Sequence, residues 1–84
     1  MVYQLSYTQR AGRDIRKLDP AIQKRIKKKL ELYKLDPLQH AEKLSSSELG
    51  SYRFRIGDYR VIFDIDGEQI VILRVGHRRE IYRG

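Results

Sequence analysis

The residues from Ser51 to Tyr82, SYRFRIGDYRVIFDIDGEQIVILRVGHRREIY, constrain the fold more than any other part of the chain. Two glycine-containing dipeptides, Gly57-Asp58 and Asp66-Gly67, divide it into three runs of alternating apolar and polar residues. Glycine reaches positive φ without a steric cost, so such dipeptides close two-residue hairpins. The stretch therefore reads as three antiparallel strands joined by two tight turns. Side chains alternate between the two faces of a strand, which sorts the residues into two sets. Tyr52, Phe54, Ile56, Tyr59, Val61, Phe63, Ile65, Val71, Leu73 and Val75 share one face, which reads as core. Arg53, Arg55, Arg60 and Arg74 share the other, with Arg78 in phase if the third strand continues past Gly76. Ile62, Ile70 and Ile72 are the apolar neighbours of these arginines.

So many guanidinium groups on one side of a small sheet repel one another, and two readings are open. One is a solvated face, on which long basic side chains lie over apolar neighbours. The other is an anion site, above all for phosphates, because a planar guanidinium grips two oxygens at once. The distribution of basic residues favours the second. All seven lysines lie at or before Lys43, whereas the seven Lys and Arg residues from Ser51 onward are all arginine. Solubility alone gives no reason for that choice.

Ahead of the meander, Val2 to Tyr7 alternates as a half-buried strand would. Thr8 offers an N-cap for a helix over Gln9 to Leu18, with Ala11, Ile15 and Leu18 on one stripe. Asp19-Pro20 restarts the chain as N-cap and first helical residue of a second helix that runs to about Leu35. Its buried stripe is Ile22, Ile26, Leu30 and Tyr33, and Asp36-Pro37 ends it. The outer face of this helix carries Lys24, Arg25, Lys27, Lys28, Lys29 and Lys34. It reads as an ordinary solvated surface or, alternatively, as a docking face for RNA phosphates, where contacts are sequence-blind and salt-sensitive. Residues 38–50 read as a loop with one short turn around Glu42 to Leu44. The expected architecture is α+β: an N-terminal strand, a two-helix hairpin, then a three-stranded antiparallel meander. The helices pack on one face of a four-stranded sheet, and residues 1–84 form a single domain.

The net charge of +7 favours an acidic partner such as nucleic acid. With no cysteine, neither disulfides nor thiolate metal sites are available, which fits a reducing compartment. No apolar run approaches the length of a membrane span, and the N-terminus lacks the layout of a signal peptide. The expected location is the cytoplasm. The carboxylates of the meander sit mostly at turns rather than together, so no metal or other cofactor is expected.

Laid out in this way, the chain resembles the RelE/ParE superfamily of bacterial and archaeal toxins from toxin–antitoxin systems. The resemblance spans nearly the whole chain. It is carried by Tyr52-Arg53-Phe54-Arg55, by Gly57-Asp58-Tyr59-Arg60 with Val61-Ile62-Phe63, and by Val75-Gly76-His77-Arg78-Arg79-Glu80-Ile81-Tyr82. RelE-like members are ribosome-dependent endoribonucleases that cut messenger RNA and are neutralised by a cognate antitoxin. The resemblance implies a catalytic set of Arg53, Arg55, Arg60, Arg78 and Tyr82. The basic charge of the second helix and of the sheet face marks Lys24, Arg25, Lys27, Lys28 and Arg74 as the residues expected to dock the ribosome and RNA. Both strand positions are arginine here where some relatives carry lysine. An antitoxin is expected to cover Ile62, Ile70 and Ile72. Two other functions stay open: a ParE-type toxin that inhibits DNA gyrase, and a catalytically silent toxin-like binding module.

Overall fold

The computed structural model describes residues 2–45 and 49–81. Eight elements follow in chain order: β1 (Gln4–Tyr7), α1 (Gln9–Arg16), α2 (Pro20–Tyr33), α3 (Pro37–His40), β2 (Ala41–Lys43), β3 (Tyr52–Ile56), β4 (Tyr59–Asp66) and β5 (Gln69–His77). The strands form one sheet in the order β1-β5-β4-β3-β2, antiparallel throughout except for the parallel β1–β5 pair. The α+β architecture matches the sequence reading, but the sheet has five strands, not four. The additional strand, β2, lies in the segment read as a loop. Its three residues pair Ala41 with Phe54, Glu42 with Arg53 and Lys43 with Tyr52. Three residues carry too little alternation to register as a strand, and pairing to β3 is what organises them.

The helices begin where the sequence places them. Thr8 accepts a hydrogen bond on its side chain from the Ala11 amide at 3.1 Å, which satisfies one of the donors orphaned at the start of α1. Asp19 stands at the N-cap position of α2 with Pro20 behind it, but makes no side-chain capping bond. Proline at the first position lacks the amide that would need a partner. Ala11 and Ile15 from α1, with Ile26 and Leu30 from α2, pack against Phe54, Ile56, Val61, Phe63, Ile70, Ile72 and Val75 of the sheet. An aromatic row runs through this core: Phe54 and Phe63 stack at 4.2 Å, Tyr52 on Phe63 at 5.5 Å, and Tyr33 tilts onto Phe54 at 5.1 Å. Each fully buried side chain of this size stabilises the fold by about 1.5–3 kcal/mol relative to exposure.

Two differences in the meander change which residues face the helices. The first turn is Gly57-Asp58 as expected, with Gly57 at φ 59°. The second is Gly67-Glu68, because Asp66 still pairs with Gln69. Gly67 supplies the positive φ (60°) at the first turn position, where the sequence reading had put it at the second. This one-residue slip turns Ile70 and Ile72 into the core and Val71 and Leu73 out of it. A bulge then restores the phase. Ile62 pairs with Arg74 but Phe63 pairs with Ile72, so Leu73 is the extra residue and Val75 returns to the core.

The expectation of an exposed apolar patch at Ile62, Ile70 and Ile72 is therefore wrong. Ile70 and Ile72 lie in the core beneath the helices. Ile62 lies on the opposite face but is fully buried, because the chain at Gly50 crosses over it. A Cβ at Gly50 would stand 2.7 Å from Ile62 Cγ2 and 2.8 Å from Leu73 Cδ1, so only glycine permits this approach. The crossing is tied down by the Ser51 amide, which donates to Asp64 Oδ1 at 2.7 Å, and by the Leu44 amide, which donates to the Ser51 carbonyl at 2.9 Å.

Candidate functional site

On the face away from the helices, strand register sets two rows. Glu42, Arg53, Ile62 and Arg74 lie directly across from one another on β2, β3, β4 and β5. Arg55, Arg60 and Gly76 form the next row towards the β3–β4 turn. The alternation that aims Phe54 and Val61 at the helices necessarily aims these arginines away from them.

Like charges directly opposite one another in a sheet are destabilising, and the structure supplies these arginines with acceptors, one of them shared. Arg53 Nη2 donates to Glu42 Oε2 at 3.1 Å, and Arg55 Nη1 reaches Glu42 Oε1 at 3.5 Å. The hydrogen bond from Arg53, aided by the charges of both arginines, holds the Glu42 carboxyl below the usual glutamate range. Arg60 is only 6% exposed, and its Nη1 donates to the carbonyls of Gly57 at 3.0 Å and Tyr59 at 2.9 Å. It braces the turn from within while Arg55, across from it, is exposed.

The same turn gathers further cations. The Arg78 amide donates to the Asp58 carbonyl at 2.8 Å, and its Nε lies 3.8 Å from Asp58 Oδ1. Arg25 reaches across from α2, so that a Cβ on Gly57 would stand 2.7 Å from its Nη2. The sequence groups Arg25 with the lysines of the helix surface, whereas the structure lays its guanidinium against the Gly57 turn. Lys24, Lys27 and Lys28 are exposed on α2. Ile81 folds back over Gly76, closing the row beside Arg60. Tyr82, the fifth member of the expected catalytic set, lies outside the described residues.

Arg74 departs from the others. Its Nε donates to Asp14 Oδ2 at 2.8 Å, and the same oxygen accepts the Val75 amide at 3.1 Å. β1 ends at the Tyr7–Ile72 pair, so the remainder of β5 is an open edge. Asp14 takes the place of a neighbouring strand there, and Arg74 locks it in position. His77 faces Tyr59 edge-on at 5.5 Å, and its Nδ1 accepts the Arg79 amide at 3.2 Å.

Sequence reasoning missed Glu42, Asp14 and Asp58. Only Glu42 carried a signal: two arginines spaced two apart on a strand call for a carboxylate on the neighbouring one. Among the described residues no group of three His, Cys, Asp or Glu side chains is placed to hold a metal ion, and no helix is long and apolar enough to cross a membrane. Arginine stays protonated at any accessible pH, so what Arg53, Arg55, Arg60 and Arg78 offer is fixed positive charge and hydrogen-bond donors for an anion.

Fold and site together define a small basic domain whose helix-free sheet face is organised by arginine. Residues 5–82 match the family described as ParE toxin of the type II toxin–antitoxin system, parDE. The chain is 36% identical to toxin RelG of Mycobacterium tuberculosis, over 99% of both chains. Among solved structures it is similar to a chain of the RelBE2 toxin–antitoxin complex of M. tuberculosis, with a TM-score of 0.84 at 32% identity over 93% of this chain and 100% of that one. A chain of the RelB–RelE complex of Methanococcus jannaschii gives 0.73 at 28% identity over 93% and 95%. A chain of the chromosomal ParDE system of P. aeruginosa shares the fold, with a TM-score of 0.71 at 17% identity over 90% and 96%. The chain belongs to the RelE/ParE toxin superfamily and is a toxin of a type II toxin–antitoxin system.

Proposed function

We propose that this toxin is a ribosome-dependent endoribonuclease that cleaves messenger RNA by attack of the substrate's own 2′-hydroxyl. The observation that carries this reading is the arginine row of β3 and β4, with Arg53 and Arg55 beside Arg60 and next to Arg78 at the turn. In such a reaction the O2′–P bond forms and the P–O5′ bond breaks. One proton must leave the 2′-oxygen and one must reach the 5′-oxygen. The charge that builds on the phosphoryl oxygens is what oriented guanidinium groups stabilise. Arg53 and Arg55 would hold the scissile phosphate, and Arg60 would add fixed charge beneath it. Arg78, exposed and anchored through its backbone, would serve the leaving oxygen. Tyr82 is the proposed base, on the resemblance to the family alone. Exposed Lys24, Lys27 and Lys28 would meet ribosomal RNA.

A cognate antitoxin is the proposed partner, in line with the toxin–antitoxin complexes among the similar structures. With Ile62, Ile70 and Ile72 buried, the large apolar side chains open to it include Leu32, Leu35 and Leu38. Inhibition of gyrase is the second reading, favoured by the description of the matching family. Primer extension after brief expression separates the two. New messenger RNA ends within codons are the expected result; loss of DNA supercoiling without such ends would replace the nuclease by the gyrase toxin.

A further inference from the structure

Arg53 and Arg55 are the two arginines of β3, they point the same way, and a single carboxylate spans them. Glu42 is held opposite Arg53 by the pairing of β2 with β3, which puts its side chain on the same face as the two arginines. Its Oε2 faces Arg53 Nη2 and its Oε1 faces Arg55 Nη1. These are the donors that two oxygens of a phosphate group would engage. We infer that Glu42 is a built-in competitor, which occupies the anion fork of Arg53 and Arg55 in the free toxin and yields it only to an anion with additional contacts. The inference rests on reading this face as a phosphate site.

Exposed ion pairs are individually weak, so the contact is displaceable. A lone small dianion would exchange one set of oxygens for another and gain little. A polynucleotide gains more, because neighbouring phosphates reach Arg78 and Arg25 at the turn while one of them displaces Glu42. The device thus selects polyanions over the free phosphates and carboxylates of the cell. It also assigns Glu42 a role other than proton acceptor. The donors that hold it keep its carboxyl ionised and weakly basic.

Sulfate alone is a suitable probe, because its charge is constant across the neutral range. Binding is followed on the side-chain Nε–H resonances of Arg53 and Arg55 at low ionic strength. Glu42→Gln should bind sulfate about threefold to tenfold more tightly than the wild type, the scale expected when a pair of exposed ion contacts is removed. Glu42→Asp, whose carboxylate is too short to span both arginines, should fall between. Glu68→Gln, which removes a charge at the far turn, should match the wild type. On programmed ribosomes Glu42→Gln should cleave at least as fast as the wild type. Equal sulfate affinity in Glu42→Gln and wild type would overturn the inference, as would a folded Glu42→Gln whose cleavage falls about 100-fold. If the wild type cleaves nothing, the nuclease reading fails alone and the sulfate series still decides the role of Glu42.

Discussion

Arg55 and Arg60 stand directly across from each other on β3 and β4, yet one guanidinium lies in solvent and the other is buried against the carbonyls of Gly57 and Tyr59. The two should therefore respond differently to truncation. Arg60→Ala leaves two turn carbonyls without that donor and should destabilise the protein by about 1–3 kcal/mol. Arg55→Ala, at an exposed position, should change stability by less than about 0.5 kcal/mol while still slowing cleavage. Urea denaturation alongside single-turnover rates on programmed ribosomes checks both; equal stability losses would refute the distinction.

Asp14 closes the open edge of β5 through Arg74 Nε and the Val75 amide. Asp14→Ala strips a partly buried cation and a sheet amide of their acceptor, with an expected cost of about 1–3 kcal/mol. For a domain of this size each kcal/mol lowers Tm by about 4–8 °C. A double-mutant cycle with Arg74→Ala should return a coupling energy of at least about 0.5 kcal/mol. Strict additivity would show that the contact is incidental.

Gly50 crosses the sheet too closely for any side chain. Gly50→Ala should cost about 1–3 kcal/mol through overpacking against Ile62 and Leu73. Because Ile62→Ala removes one of the clashing groups, the double variant should lose less than the sum of the single losses. Thermal melts of the four proteins measure this directly.

The Glu42 carboxyl titrates below the ordinary glutamate value, since Arg53 donates to its charged form. Its folded value is depressed, so whatever stability it contributes is complete above the unfolded value of about 4.3 and is lost as pH falls through the folded value. In Arg53→Ala the Glu42 titration, followed by carboxyl carbon NMR, should move up towards the ordinary range. An unchanged midpoint would mean that Arg53 is not the cause.

The reading of the sequence succeeded where a residue type has one local use. Thr8, the Asp19-Pro20 junction and Gly57-Asp58 each mark a boundary that backbone geometry alone requires, and the alternation of β3 and β4 put Arg53, Arg55 and Arg60 on one face. It failed where the outcome depends on a partner distant in the chain. Around Gly67 two adjacent dipeptides are both competent turns, and only burial of Ile70 and Ile72 beneath the helices decides between them. The bulge at Leu73 has no residue of its own to announce it. The edge strand at Ala41–Lys43 exists because β3 offers it a ladder. Asp14 drew no attention for the same reason: it is an ordinary acid until the fold brings Arg74 to it.

The hydroxyl of Thr8 donates to the carbonyl of Leu73, 65 positions later, where the first strand lies alongside the last. Nothing within the N-terminal half can substitute for that neighbour. On a translating ribosome the chain must wait, its helices lacking the surface they pack on, until the final strand has emerged from the exit tunnel. The sheet is thus whole only once β5 is free to pair with β1, and an antitoxin already present would meet the toxin at that moment.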